Sequence, residues 1–152
     1  MKFSLKKILT SLVFYLYKAL WYLFLPIALL YFFYRSIKEP GYSSNLLERL
    51  SVYKKDFKGA CWCHAVSLGE FRAARPIFNK LLLNGEKLLI TTLTLSGKRA
   101  AQQEYHKEIN ENKVVIVYAP LEISLLLKRF LKNFKPKCCI ILECDLWPVM
   151  IT

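Results

Sequence analysis

The chain has 152 residues, a formal net charge of +12 and a hydrophobic fraction of 55%. Its length suits one ordinary domain and excludes two large ones. The surplus of 23 Lys and Arg over 11 Asp and Glu predicts a polyanion or an anionic membrane surface as partner. Five cysteines lie in two clusters inside apolar runs, which excludes a secreted disulfide framework and favours a reducing compartment. Neither cluster has the spacing of zinc-binding modules, so no metal site is predicted.

The first forty residues contain a long apolar segment, from Ile8 to Tyr34, whose one charge is Lys18 and whose one proline is Pro26. It is long enough to cross about 30 Å of hydrocarbon, and too long for a cleaved signal peptide. Two membrane interpretations stay open. The segment is either a tilted spanning helix or an interfacial segment that is broken at Pro26 and holds Tyr and Trp rings at headgroup level. A buried core helix is the third alternative. We predict a hydrophobic membrane anchor over residues 1–37.

A polar connector follows over residues 38–58, with one short helix expected at Leu46 to Leu50. From residue 59 to residue 152, four strand patterns alternate with three helix patterns. The strands are ACWCHAV, KLLITTLT, KVVIVYAP and KCCIILE, and the helices are GEFRAARPIFNKLLL, SGKRAAQQEYHKEI and EISLLLKRFLKNF. This alternation predicts an α/β fold, with a Rossmann-like parallel sheet covered by helices on both faces. The second, third and fourth strands are nearly continuous apolar runs, so we expect all three to be doubly buried.

Open α/β sheets bind ligands beyond the carboxyl ends of their strands, and small polar residues gather there in this sequence. Glu70 is the most suggestive of them, because it lies on the first turn of a helix at the mouth of the sheet. Taken alone, a glutamate at that position is most often structural. The candidates are Ser67, Gly69 and Glu70 after the first strand, Thr91, Thr92, Thr94, Ser96 and Gly97 after the second, Tyr118, Pro120 and Glu122 after the third, and Glu143 and Asp145 after the fourth.

Four spaced motifs, HAVSLGE, TTLTLSG, VYAPLE and ILECDLWPVMI, carry a resemblance to a known family. In this order and at these intervals they resemble the N-terminal domain of the Kdo transferases. Those enzymes attach 3-deoxy-D-manno-octulosonic acid (Kdo) to the lipid A precursor of Gram-negative bacteria. The resemblance implies the N-terminal, acceptor-side half of a glycosyltransferase-B fold, preceded by a hydrophobic membrane-anchor helix. It also implies that the donor-binding C-terminal domain is absent from this chain.

The resemblance implies a catalytic role for Glu70, which falls on the glutamate of the family's S-V-G-E motif. That residue is the general base that takes the proton of the acceptor hydroxyl as it attacks CMP-Kdo. The implied reaction inverts the anomeric centre and needs neither a metal nor a cofactor. Glu143 matches the family's E-T-E-L-W motif, whereas Asp145 replaces its second glutamate with a shorter side chain. The resemblance, the polar residues at the carboxyl ends of the strands and the surplus of basic residues together predict the substrate-binding residues. These are Ser67, Gly69, Arg72, Thr92, Ser96, Gly97, Glu143 and Asp145.

The expected function is transfer of Kdo from CMP-Kdo to lipid IVA in lipopolysaccharide core synthesis, with no turnover by this chain alone. The expected partners are lipid IVA, CMP-Kdo through the missing domain, and the inner membrane, with the globular part on its cytoplasmic side. The alternative is a non-catalytic, membrane-anchored module that binds a phosphorylated glycolipid. A nucleic-acid partner is not expected, because no recognisable binding module is present. Neither His64 nor His106 is predicted to be catalytic.

Overall fold

The computed structural model describes residues 2–38, 42–142 and 148–149, which form a parallel four-stranded sheet with helices on both faces. The strands are β1 (Cys61–His64), β2 (Leu88–Thr92), β3 (Val114–Tyr118) and β4 (Cys138–Ile141). The helices are α1 (Lys2–Lys38), α2 (Tyr42–Arg49), α3 (Leu68–Leu83), α4 (Leu95–Glu104), α5 (His106–Asn110) and α6 (Ser124–Phe134). The predicted α/β class and the parallel sheet are confirmed.

The order of the strands across the sheet is β3-β2-β1-β4. Cys61 of β1 lies opposite Leu88 of β2 on one side and opposite Cys138 of β4 on the other. The chain therefore adds β2 and β3 in one direction and then returns to place β4 on the other side of β1. Such a reversal is a topological switch point, and it opens a crevice at the carboxyl ends of the two strands that flank it.

Successive side chains of each strand point to opposite faces of the sheet, which produces two apolar clusters. One face packs against α3 and α4, and its cluster includes Cys63, Ile90, Ile116, Phe71 and Phe78. The other face packs against α6, and its cluster includes Trp62, Leu89, Val115, Phe130 and Phe134. The sheet is thus covered on both faces, as the apolar runs of β2 and β3 predict.

Three local expectations were wrong. β4 is an outer strand in the described part of the sheet, so Cys138 and Cys139 are exposed rather than doubly buried. The single helix expected over residues 96–109 is split into α4 and α5 at Tyr105. There the backbone leaves helical geometry while the buried ring packs on Phe71 and the hydroxyl donates to Asn79 Oδ1 at 2.9 Å. The short helix in the connector begins at Tyr42 and ends at Arg49, instead of covering residues 46–50.

The apolar segment forms one continuous helix, α1, with Pro26 inside it, so the break expected at Pro26 in the interfacial interpretation is wrong. Its span Leu9–Arg35 has a mean hydropathy of 1.7 and is long and apolar enough to cross a membrane. The helix also lies against the domain. Its residues Trp21, Leu25 and Phe32 pack on a third apolar cluster, formed by Leu121, Ile123 and Leu126.

The cysteines that the structure describes are free thiols. The Sγ atoms of Cys61 and Cys138 lie 2.9 Å apart, across the β1–β4 pairing. Burial raises the pKa of Cys63 to about 12, and burial together with the neighbouring Cys138 thiol raises the pKa of Cys61 to about 11. Both thiols are therefore protonated near neutral pH, which makes them weak nucleophiles and metal ligands.

Candidate functional site

Glu70 is held by hydrogen bonds at the junction between β1 and α3. Ser67 is the N-cap of α3, and its Oγ accepts from Glu70 N at 3.3 Å. In return, the Glu70 carboxylate accepts from Ser67 N at 3.2 Å, from Ser67 Oγ at 2.7 Å and from Val66 N at 2.6 Å. This reciprocal arrangement is a capping box, which satisfies donors that the first turn of a helix leaves unpaired. The side chain is thus fixed in one place, and the residue is only 7% exposed.

The Glu70 junction lies at the topological switch point. Leu142 N, just after β4, donates to His64 O at 3.1 Å, so the pairing of β4 with β1 continues up to the start of this junction. A ligand in the crevice between the two strands would therefore meet the first turn of α3. Three donors hold the carboxylate oxygens in place. Of these three hydrogen bonds, Oε2 accepts only the one from Val66 N. This oxygen therefore keeps lone-pair capacity for a proton.

The second predicted motif, after β2, is brought next to Glu70. Thr94 is the N-cap of α4, and its Oγ1 accepts from Gly97 N at 3.1 Å. Thr92 Oγ1 donates to Val66 O at 2.9 Å, which ties the end of β2 to the residue that also contacts Glu70. Ser96 is exposed on the first turn of α4, and its Oγ donates to Thr94 Oγ1 at 3.5 Å. The first turns of α3 and α4 therefore lie side by side at one edge of the sheet.

The two turns approach each other closely at Gly97, where a Cβ atom would have no room. It would lie 2.7 Å from Thr92 Oγ1, 2.9 Å from Thr94 Oγ1 and 3.4 Å from Leu68 N. Both hydroxyls are already engaged in hydrogen bonds, so neither can move without losing one. At Gly69 the nearest atom to a Cβ would be Ser67 Oγ, at an ordinary 3.7 Å.

We expect Gly97→Ala to lower the free energy of unfolding by about 1 to 3 kcal/mol, as overpacking of a close contact does. Gly69→Ala is the matched control, and it is expected to leave stability unchanged or to raise it by up to about 1 kcal/mol, since alanine is the better helix former. Urea unfolding of the two variants measures both values. Equal stability of the two variants would contradict the close approach of α4 to Thr92.

The remaining predicted site residues are placed as follows. Arg72 is exposed on the second turn of α3, a short distance along the helix from the Glu70 junction. Arg75, one turn further on, forms an ion pair with Glu104 of α4. Glu143 and Asp145 lie outside the described residues. Glu122 is buried and accepts from Val149 N at 2.5 Å.

Sequence reasoning did not detect a half-buried ionic cluster that attaches α2 to the sheet. The carboxylate Oε2 of Glu48 accepts from Lys98 Nζ at 2.6 Å and from Tyr118 N at 2.7 Å. The ammonium of Lys98 also lies 4.3 Å from the centre of the Tyr118 ring. Burial lowers the pKa of Lys98 from its usual value, and the hydrogen bond to Glu48 opposes that change. The connector therefore contributes a charged group to the carboxyl end of β3.

Arg49, the next residue, is buried at the same edge. Its Nη2 donates to Leu93 O at 2.6 Å, and its own carbonyl accepts from Leu121 N at 3.0 Å. The guanidinium carbon lies 4.5 Å from the centre of the Tyr118 ring and 5.1 Å from that of Phe32 in α1. Arg49 thus joins the loop after β2, the loop after β3 and the apolar helix. The sequence did offer one signal that this segment packs on the domain. Glu48 and Arg49 are flanked by the apolar residues Leu46, Leu47 and Leu50.

A cavity of about 140 Å³ lies at this edge, next to α1. His64 contributes to its wall, and the Nδ1 atom of that histidine lies 2.8 Å from Thr91 Oγ1, which also accepts from Trp62 Nε1 at 2.8 Å. The lining residues are Trp21, Arg49, His64, Leu93, Ala119, Pro120, Leu121 and Glu122. Within the described ranges, no group of three or more His, Cys, Asp or Glu side chains is arranged to hold a metal ion.

Residues 44–152 match the sequence profile of the family described as 3-deoxy-D-manno-octulosonic-acid transferase (kdotransferase). The chain is 31% identical to a 3-deoxy-D-manno-octulosonic acid transferase of Haemophilus influenzae over 134 residues, which is 83% of this chain and 30% of the relative. It is 32% identical to the transferase of that name from Bordetella pertussis over 90 residues, or 59% of this chain and 21% of the relative.

A plant protein shows the same similarity. The chain is 31% identical to a probable mitochondrial 3-deoxy-D-manno-octulosonic acid transferase of Arabidopsis thaliana over 143 residues, which is 91% of this chain and 31% of the relative. The chain thus spans less than a third of the length of these three curated relatives.

Proposed function

Because the chain belongs to the 3-deoxy-D-manno-octulosonic-acid transferase family, we propose that it supplies the acceptor-side domain and membrane attachment of a Kdo transferase. The acceptor is lipid IVA and the donor is CMP-Kdo, which binds mainly to a C-terminal domain outside this chain. The chain by itself binds acceptor but does not turn over. One observation carries the proposal: the carboxylate of Glu70 is fixed at the switch point of the sheet, where α/β domains bind ligands.

Glu70 acts as the general base in this proposal. An acceptor hydroxyl attacks the anomeric carbon of the Kdo residue, and its proton passes to the Glu70 carboxylate. The new bond joins the acceptor oxygen to that carbon, while the bond to the CMP oxygen breaks and CMP leaves with the electron pair. A single displacement inverts the anomeric centre, and it requires neither a metal nor a cofactor. The lone-pair capacity of Glu70 Oε2 supports this role, because a base needs an acceptor site for the proton.

The neighbouring groups bind and position the acceptor. Ser67 and Ser96 carry hydroxyls on the first turns of α3 and α4, where the helix dipoles also favour negative charge. Thr92 and Gly97 set the distance between those turns, and Gly69 lies on the turn that carries Glu70. Arg72 supplies a positive charge for an acceptor phosphate. Glu143 and Asp145, which lie outside the described residues, stay expected substrate-binding residues.

The membrane in question is the inner membrane, with the globular part on its cytoplasmic side. An acceptor that is itself a lipid remains in the membrane, so attachment of the enzyme to the same surface raises the rate of encounter. The net charge of +12 favours a surface of anionic lipid and a phosphorylated acceptor.

Binding of a bis-phosphorylated glycolipid to the purified chain, in nanodiscs of neutral lipid, tests the acceptor-side role. We expect Arg72→Glu to weaken binding roughly tenfold, because a charge-assisted contact to phosphate becomes a repulsion. Lys80→Glu is the matched control, since Lys80 is an exposed cation on the last turns of the same helix. Equal affinity of the two variants, or no preference for the phosphorylated over the dephosphorylated glycolipid, would contradict the proposed site.

A further inference from the structure

We propose that α1 lies in the plane of the membrane surface, with one face in the lipid and the domain on the water side, and does not cross the bilayer. This mode of attachment is independent of the transferase reaction. Three features support it: the contact of α1 with the domain, the side chains of α1 that face away from the domain, and a basic groove between the connector and α6.

The contact between α1 and the domain is too long to leave a spanning segment. Tyr17 packs on the cluster that contains Phe130, and Phe32 packs on the cluster that contains Leu121. At about 1.5 Å per residue, Tyr17 and Phe32 are about 22 Å apart along the helix. The part before the contact, from Lys2 to Leu16, is also only about 22 Å long, which is short of the roughly 30 Å of a hydrocarbon core. A helix that crossed the bilayer along its normal would therefore pull the domain into the hydrocarbon.

The side chains that face away from the domain are arranged for an interface. At about 100° per residue, the residues opposite the contact line of Trp21, Leu25 and Phe32 are mostly aliphatic, and Tyr34 near the end of the helix is an exception. They include Leu12, Leu16, Leu23, Leu30 and Ile37, with exposed fractions from 55% to 72%. On the two flanks of this outer face stand exposed rings, among them Tyr15, Tyr22, Phe24 and Tyr31. Aliphatic side chains at the deepest point, with tyrosines beside them at headgroup level, are what a helix lying in the interface requires.

The charges of α1 agree with this orientation. Lys7, Lys18 and Arg35 fall within about 60° of the contact line, on the domain side of the helix, whereas Lys38, the last residue of the helix, lies about 120° from it. Lys18 Nζ lies 4.1 Å from the centre of the Phe14 ring, and Arg35 lies 6.0 Å from that of Tyr31. Residues 1–38 contain no Asp or Glu, so nothing on the helix repels anionic lipid. A lipid-facing aliphatic side and a basic water-facing side are thus combined in one helix.

A basic groove of about 610 Å³ lies between the connector and α6. Tyr53 lines it and packs on Phe130 and Phe134, members of the same cluster that Tyr17 of α1 packs against. The charged residues of the groove are Lys54, Lys55, Asp56, Lys58, Arg129 and Lys132, and Asp56 is paired with Lys58 at 2.7 Å. A surplus of cations on the side of the domain that Tyr17 of α1 packs against matches the anionic headgroups of a bilayer, the one occupant to which we assign this surface.

Protease accessibility tests the orientation directly. For this test, one specific protease site is added before Met1 and a second after Thr152. The chain is expressed in bacteria, from which sealed inner-membrane vesicles are made. We expect both sites to be cleaved, or both protected, in vesicles of a given orientation, with full cleavage of both after detergent. Cleavage of one site and protection of the other in sealed vesicles would show a spanning helix and would overturn the inference. This readout is independent of acceptor binding and turnover, so the proposed function can fail without affecting it.

Vesicle sedimentation tests the basic groove. The triple variant Lys54→Glu, Arg129→Glu, Lys132→Glu is expected to bind phosphatidylcholine–phosphatidylglycerol vesicles on the order of 100-fold more weakly than the unmodified chain, with little change on pure phosphatidylcholine. The matched triple variant Lys80→Glu, Arg99→Glu, Lys107→Glu removes three exposed cations from the helices on the other face of the sheet and should bind like the unmodified chain. Equal loss in both variants, or loss in neither, would contradict the assigned surface.

Discussion

Replacing Glu70 by glutamine is expected to lower the turnover number by about 10²- to 10⁴-fold, because the substitution removes the group that accepts the acceptor proton. The fold should survive, since glutamine also serves at this position of a capping box. The free energy of unfolding is therefore expected to change by less than about 1 kcal/mol. The assay uses the chain supplied with a donor-binding domain, as a second polypeptide or fused after Thr152, and follows release of CMP.

A second substitution at the same junction separates a base from a structural cap. Ser67→Ala is the control for the cap. It removes the hydroxyl that bonds to Glu70, and it is expected to cost about 1 kcal/mol of stability while retaining far more turnover than Glu70→Gln, because the carboxylate itself is kept. Turnover of Glu70→Gln at the unmodified rate would remove Glu70 from the mechanism.

The second large effect is expected at Glu48. Glu48→Gln should lower the free energy of unfolding by about 2 to 3 kcal/mol, because the buried ammonium of Lys98 then has no counter-charge. The same change also weakens the bond from Tyr118 N. Urea unfolding in detergent gives the stability difference.

An exposed ion pair provides the comparison for Glu48. Glu104→Gln breaks the ion pair with Arg75, in which the Glu104 side chain is 33% exposed and the Arg75 side chain is 45% exposed. The substitution is expected to change the free energy of unfolding by less than about 1 kcal/mol. Adding Lys98→Met to Glu48→Gln should restore much of the loss, since the uncompensated buried charge is then absent. If Glu48→Gln and Glu104→Gln proved equally mild, the cluster would not hold α2 on the sheet.

Local patterns in the sequence were sufficient for the four strands and for the first turn of the site. Alternation of apolar runs with amphipathic stretches identified the four strands and the α/β class, because periodicity follows directly from which face of an element is buried. Ser67 and Glu70 have the spacing of a capping box, so the geometry around the candidate base follows from neighbours in the chain. The apolar helix was evident from its length and composition alone.

Contacts between distant residues were not evident in the same way. Glu48 and Arg49 lie in a polar connector, and their contacts depend on Lys98, Leu93 and Tyr118, which lie at least 44 residues further along the chain. The split at Tyr105 likewise depends on Phe71 and Asn79 of another helix. In both cases, tertiary packing overrode what local composition favours.

The sequence by itself determined the class of fold, the family and the apolar helix, because periodicity, motif spacing and composition are properties of neighbouring residues. Only the tertiary structure decided that β4 pairs with β1, which puts the Glu70 junction at the switch point of the sheet. It alone decided that α1 packs lengthwise on the loop after β3 and on α6, through Trp21, Leu25 and Phe32. Both results come from pairings between segments far apart in the chain. Those pairings are selected by the total burial of apolar surface and not by any local pattern.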